Sequence, residues 1–105
     1  MRDRPLFDMD PKHLTMVQEI LRRRVPDREV WVFGSRARWT AKKHSDLDLA
    51  ILGEEPLSLG VLADLRDDFS ASDLPFKVDV VEWATTSESF RRIIERGRVV
   101  VSCQS

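Results

Sequence analysis

Leu14, Val17, Ile20 and Leu21 recur at the three- and four-residue spacing of one helical face, which predicts a first helix. Asp10-Pro11 provides an N-cap followed by proline at the first helical position, and Pro26 stops the helix after about Arg24. The period then changes. Glu29-Val30-Trp31-Val32-Phe33 is a run of aromatic and β-branched residues ended by Gly34, and it reads as a strand. Arg36 to Lys43 reads as a short basic helix or turn, and Leu47 to Leu52 as a second strand closed by Gly53. Leu59, Leu62, Leu65 and Phe69 form a second helical stripe with Val61 beside it, and Phe76 to Glu82 is a third strand. Thr85-x-x-Glu88 has the form of a capping box and predicts a last helix through Phe90, Ile93 and Ile94, with Gly97 as its C′ residue. Arg98-Val99-Val100-Val101 adds a final edge strand. Strands alternating with helices predict an α/β (α+β) layer, and the short connections predict a mixed sheet with helices packed against it.

Composition narrows the class. A chain of 105 residues without repeats, low-complexity tracts or linkers is expected to be a single domain over residues 1–105. Its apolar runs are far shorter than the roughly 20 residues that cross a bilayer, so no membrane association is expected. Met1-Arg2-Asp3-Arg4-Pro5 is not followed by an apolar segment of the secretory kind. One cysteine, Cys103, cannot form an internal disulfide, which fits a reducing, cytoplasmic setting. Net charge is −1, yet residues 1–45 carry 11 Lys and Arg against 6 Asp and Glu, while residues 46–105 carry 6 against 12. The balanced total argues against a general nucleic-acid coat, and no direct nucleic-acid binding is expected. The basic half could still meet an anionic ligand or an acidic partner.

The segment from Gly34 to Asp48 carries the chemistry. A Gly34-Ser35 turn suits a phosphate, because a residue without a side chain lets backbone N–H groups approach the anion. Asp46 and Asp48 flank Leu47; on a strand they share one face with Cα atoms about 6–7 Å apart. If Leu47, Leu49 and Ile51 face the core, both aspartates lie opposite, with Ala50 and Leu52 beyond them. Like charges so placed cost stability unless a cation or solvent relieves them, and hard oxygen donors of this kind suit Mg²⁺. A third acid would complete the set. Asp79 interrupts an apolar strand between Val78 and Val80 and is favoured over Glu82, which lies three residues on and so on the other face. A phosphate turn feeding a paired-carboxylate strand reads as metal-assisted chemistry on a nucleotide.

Phe33-Gly34-Ser35-Arg36-Ala37-Arg38, Ser45-Asp46-Leu47-Asp48-Leu49-Ala50-Ile51 and Val78-Asp79-Val80-Val81 together resemble the polymerase-β-type nucleotidyltransferase superfamily. The likeness is strongest to its smallest branch, the minimal nucleotidyltransferases of prokaryotes, which include MntA-type antitoxins paired with HEPN-domain toxins. It covers about residues 30–83. One departure is Trp39, where relatives commonly carry Gly; its indole could pack under the turn or stack on a base. The resemblance implies a nucleotidyltransferase-type mixed sheet. It implies two Mg²⁺ ions held by Asp46 and Asp48, with Asp79 holding the ion beside the attacking hydroxyl and taking its proton. It also implies that Gly34 and Ser35 cradle the triphosphate of ATP, that Arg36 and Arg38 contact phosphate, and that Ser45 caps or bonds the neighbouring aspartate.

The implied activity is Mg-dependent transfer of AMP from ATP to a hydroxyl of a partner protein, a tyrosine of a HEPN toxin, with this chain as the antitoxin. The chain contains no tyrosine, so a tyrosyl acceptor must belong to another polypeptide. Two alternatives stand beside it: a non-catalytic antitoxin that neutralises its partner by covering it, and a transferase acting on a small molecule or an RNA end. Other conspicuous residues read as structural. His13 and His44 lack a second ligand at metal spacing, Arg22-Arg23-Arg24 suits a helix C-terminus, and no P-loop motif is present.

Overall fold

The computed structural model describes residues 9–37 and 46–102. In chain order these form α1 (Pro11–Arg24), β1 (Val30–Phe33), β2 (Leu47–Ile51), α2 (Leu59–Ala71), β3 (Val78–Glu82), a 3-10 turn (Trp83–Thr85), α3 (Glu88–Arg96) and β4 (Val99–Ser102). Asp10 caps α1: its Oδ1 accepts from the Lys12 amide at 3.0 Å, and Pro11 sits at a position that has no intrahelical donor to lose. Ser58 caps α2 in the same way, accepting from the Val61 amide at 3.2 Å.

The four strands form one mixed sheet in the order β3-β2-β1-β4. β1 pairs antiparallel with both β2 and β4, whereas β2 and β3 run parallel. Alternation along β2 splits the core in two. Leu47, Leu49 and Ile51 are sealed on the face covered by α1 and α2, among Val17, Leu21, Val32 and Leu65. Ala50 points the other way and joins Trp31, Phe33 and Ile94 under α3, with Trp83 and Phe90 at the margin. An ion pair ties the two helices of the first face: Arg24 Nε lies 2.6 Å from Asp68 Oδ2. Among the described residues no helix is long and apolar enough to cross a membrane.

Two expectations about α3 are corrected. Its N-cap is Ser87, whose Oγ accepts from the Phe90 amide at 3.2 Å, and not Thr85. The Thr85 hydroxyl is turned backwards to the Glu82 carbonyl at 3.3 Å, closing the 3-10 turn, so Glu88 begins the helix and pairs with Arg92 instead of completing a capping box. Gly97 ends α3 as the cap residue itself with φ −143°, so no left-handed C′ turn forms.

Candidate active site

Gly34 leaves β1 with φ +80°, a conformation that L side chains rarely adopt. The space beside it is equally restrictive, since a Cβ at Gly34 would stand 2.5 Å from Asp48 Oδ2. Turn and carboxylate are therefore built as one unit. Asp48 is the only residue of β2 that is not fully buried. Directly across the antiparallel pair lies Phe33, and directly across the parallel pair lies Asp79. Neighbouring strands are about 4.8 Å apart, so Asp48 and Asp79 adjoin on the α3 face of the sheet. Asp46, exposed, immediately precedes β2 and shares that face by alternation. Partial burial, and then the charges of Asp79 and Asp46, raise the Asp48 pKa above its ordinary value.

Three carboxylates on one sheet face, one of them perturbed by the other two, are a donor set that a hard divalent cation would relieve. Among the described residues no three acidic, histidine or cysteine side chains close on a single point. Asp79 Oδ1 lies 4.0 Å from the Lys77 ammonium, two residues back along the chain. Glu82 is on the opposite face, where its Oε1 accepts from the Leu57 amide at 3.3 Å.

A cleft of about 1110 Å³ opens along β3 and takes in Gly34, Ser35, Asp48 and Asp79. Arg36 is not among its lining residues; it is buried, with its guanidinium stacked 4.3 Å over the Phe76 ring. A planar guanidinium suits an aromatic face as well as it suits a phosphate. Arg38 and Ser45 lie outside the described residues, as do Trp39, His44 and Cys103. Two cations that line the cleft, Arg66 and Lys77, escaped the sequence reading. Lys77 was detectable as the residue two before Asp79 on a strand. Arg66 was not, because only the tertiary fold brings α2 to β3, where Arg66 donates to the Val80 carbonyl at 3.3 Å.

Comparison with known proteins follows the same lines. A family model described as "Polymerase beta, Nucleotidyltransferase" matches residues 16–105. A protein of Haemophilus influenzae named "Probable protein adenylyltransferase MntA" is 52% identical over 95 residues, spanning 90% of this chain and 83% of the relative. Among solved structures, one described as a toxin-antitoxin with AMP-PNP superposes with a TM-score of 0.72 at 22% identity, covering 88% of this chain and 74% of that one. A second, described as a tri-AMPylated Shewanella oneidensis HEPN toxin in complex with MNT antitoxin, gives a TM-score of 0.68 at 20% identity, covering 91% and 74%. At such identities these two establish a shared fold.

Proposed function

The chain belongs to the polymerase-β nucleotidyltransferase family, and from that premise we propose that it is a Mg-dependent adenylyltransferase moving AMP from ATP to a tyrosine of a HEPN-domain toxin, as that toxin's antitoxin. The observation that carries this reading is the strand register that sets Asp79 beside Asp48, next to the Gly34-Ser35 turn. The absence of tyrosine from the chain supports an acceptor on another polypeptide. The name of the Haemophilus relative supports a protein acceptor, and the AMPylated toxin in the Shewanella complex supports its class.

In the reaction the acceptor oxygen bonds to the α-phosphorus of ATP, the bond from that phosphorus to the bridging oxygen breaks, and pyrophosphate leaves. Asp46, Asp48 and Asp79 would hold Mg²⁺, which when bound lowers the pKa of the acceptor hydroxyl and offsets charge on the phosphates. Asp79 accepts the hydroxyl proton. Gly34 and Ser35 present backbone amides to the triphosphate at the end of β1. On the family resemblance Arg38 is retained as a phosphate contact and Ser45 as a cap or partner of the neighbouring aspartate, while the Arg36 guanidinium stacks on the Phe76 ring.

Incubating the purified chain with its HEPN partner, α-labelled ATP and Mg²⁺ tests the proposal. Label is expected on the partner and is expected to vanish with Asp48→Ala or Asp79→Ala. Full neutralisation of the toxin by either variant, with no label on the partner in any sample, would instead establish inhibition by covering.

A further inference from the structure

The cleft has two ends of different character, and the chemistry above uses one. Gly34, Ser35, Asp48 and Asp79 make the polar end; Val81, Phe90 and Ile93 line an apolar wall of the same cleft. Both belong to one sheet face. Val81 follows Asp79 by two positions on β3. Phe33 pairs across from Asp48 and meets Phe90 edge to face, with ring centroids 5.8 Å apart. Ile93 is apolar although 47% exposed, while its neighbour Ile94 is fully buried. Among the described residues it is the only exposed large apolar side chain that lines the cleft. Across the cleft the apolar side chains have other duties: Phe69 and Leu74 pack into the core under α1 and α2, and Phe76 carries Arg36.

Resting on the reading of this cleft as a nucleoside-triphosphate site, we infer that Val81, Phe90 and Ile93 form the shelf on which the nucleobase lies, with Ile93 setting affinity for the base and not for the phosphates. A nucleoside triphosphate has the same two-ended character, polyanionic at one end and a flat, weakly polar ring at the other. With its phosphates held at Gly34, Ser35 and the carboxylates, the ring reaches the wall that continues from them. Small-molecule sites are commonly built this way, with apolar walls and a few convergent polar groups. Because Ile93 is half in solvent, covering it with a ring removes apolar surface from water on both partners.

The test measures binding of ATP and of inorganic tripolyphosphate, each with Mg²⁺, by calorimetry on the wild-type chain, Ile93→Ala and Ile93→Phe. The alanine variant is expected to bind ATP about tenfold more weakly, the loss of two to three methylene-equivalents of one-sided contact, and tripolyphosphate unchanged. Phenylalanine is expected to restore or tighten ATP binding. Equal loss for both probes, or no loss for ATP, overturns the shelf and leaves the triphosphate site standing. Unchanged ATP binding with loss of transfer to the partner also overturns it and makes Ile93 a partner contact. A wild-type chain that binds neither probe refutes the triphosphate site and the shelf with it.

Discussion

Replacing Asp48 with Asn is expected to stabilise the metal-free protein while ending AMP transfer. Asp48 adjoins Asp79 across the parallel pair, and its pKa is raised by partial burial and by the Asp79 and Asp46 charges. Two unit charges about 5 Å apart repel by about 0.8 kcal/mol in bulk water and about 3 kcal/mol at an effective dielectric of 20. Asp48 and Asp79 are both partly in water, so the lower half of that span applies, about 1–2 kcal/mol. Asn keeps the shape and removes the charge. In a domain of this size the gain corresponds to a melting point higher by about 5–10 °C.

The pH dependence fixes the sign. A folded pKa above the unfolded value of about 3.9 means that the wild type holds this share of stability in acid and loses it as pH rises through the folded pKa. The gap between the Asp48→Asn variant and wild type therefore opens as pH rises from about 4 through the raised folded pKa of Asp48, and closes again in acid. Thermal melts of both proteins in a chelating buffer, across that range, measure it. Added Mg²⁺ is expected to raise the wild-type melting point more than that of the variant. A variant less stable than wild type at pH 7 without divalent ions would refute the reasoning, because the carboxylate would then be making favourable bonds that outweigh its neighbours' charge.

Gly34→Ala combines left-handed strain of about 1–2 kcal/mol with a Cβ placed 2.5 Å from Asp48 Oδ2, so both the melting point and Mg-ATP binding are expected to fall. Gly60→Ala is its control: the glycine lies in α2 with open space around it, and alanine there is expected to add up to about 1 kcal/mol without changing ATP affinity by calorimetry. Asp68→Asn removes the charge and one of the two oxygens to which Arg24 donates, at 2.6 and 3.2 Å. The Arg24 guanidinium holds the Asp68 carboxyl below its ordinary pKa, so the pair stabilises the fold above the unfolded carboxyl pKa and loses that effect as pH falls through the folded one. The variant is expected to melt below wild type at pH 7, with the difference shrinking progressively as pH falls below about 4; equal melting points throughout would show that the pair does not stabilise the contact of α1 with α2.

What the sequence made legible was what local chemistry decides. The Asp10-Pro11 start of α1, the split of β2 into two faces and the mixed sheet all follow from caps, period and connection length. The start of α3 was misplaced because two hydroxyl residues competed for the role, and the choice depended on the Glu82 carbonyl standing open to Thr85. Arg36 illustrates the same limit. A basic residue beside a phosphate turn could face the ligand or an aromatic ring, and Phe76 lies 40 positions away in sequence. Phe90 and Ile93 read as two members of one helical core stripe, yet α3 is the only helix described on its side of the sheet, so the stripe is wider than the surface it covers and Ile93 is left in the cleft.

Strand direction decides whether the candidate site exists at all. Asp46 and Asp48 lie at the N-terminal end of β2, and Asp79 lies near the N-terminal end of β3. Only a parallel pair brings these two ends together. An antiparallel β3 over the same residues would set Asp79 against Ala50, two residues and about 6–7 Å along the sheet from Asp48 by the rise of about 3.3 Å per residue. Parallel pairing requires a crossover long enough to return the chain to the same end, and α2 is that crossover. β1 must run the other way for the opposite reason: its C-terminal end carries Gly34, and antiparallel pairing is what delivers that end to Asp48. One edge of the sheet thus collects the exit of β1 and the entrances of β2 and β3, so mixed topology and carboxylate placement are a single structural requirement. Moving the carboxylate of Asp79 to position 81, on the same face of β3, would shift it about 6–7 Å along the strand, away from Asp48 and into the apolar packing that Val81 makes under α3.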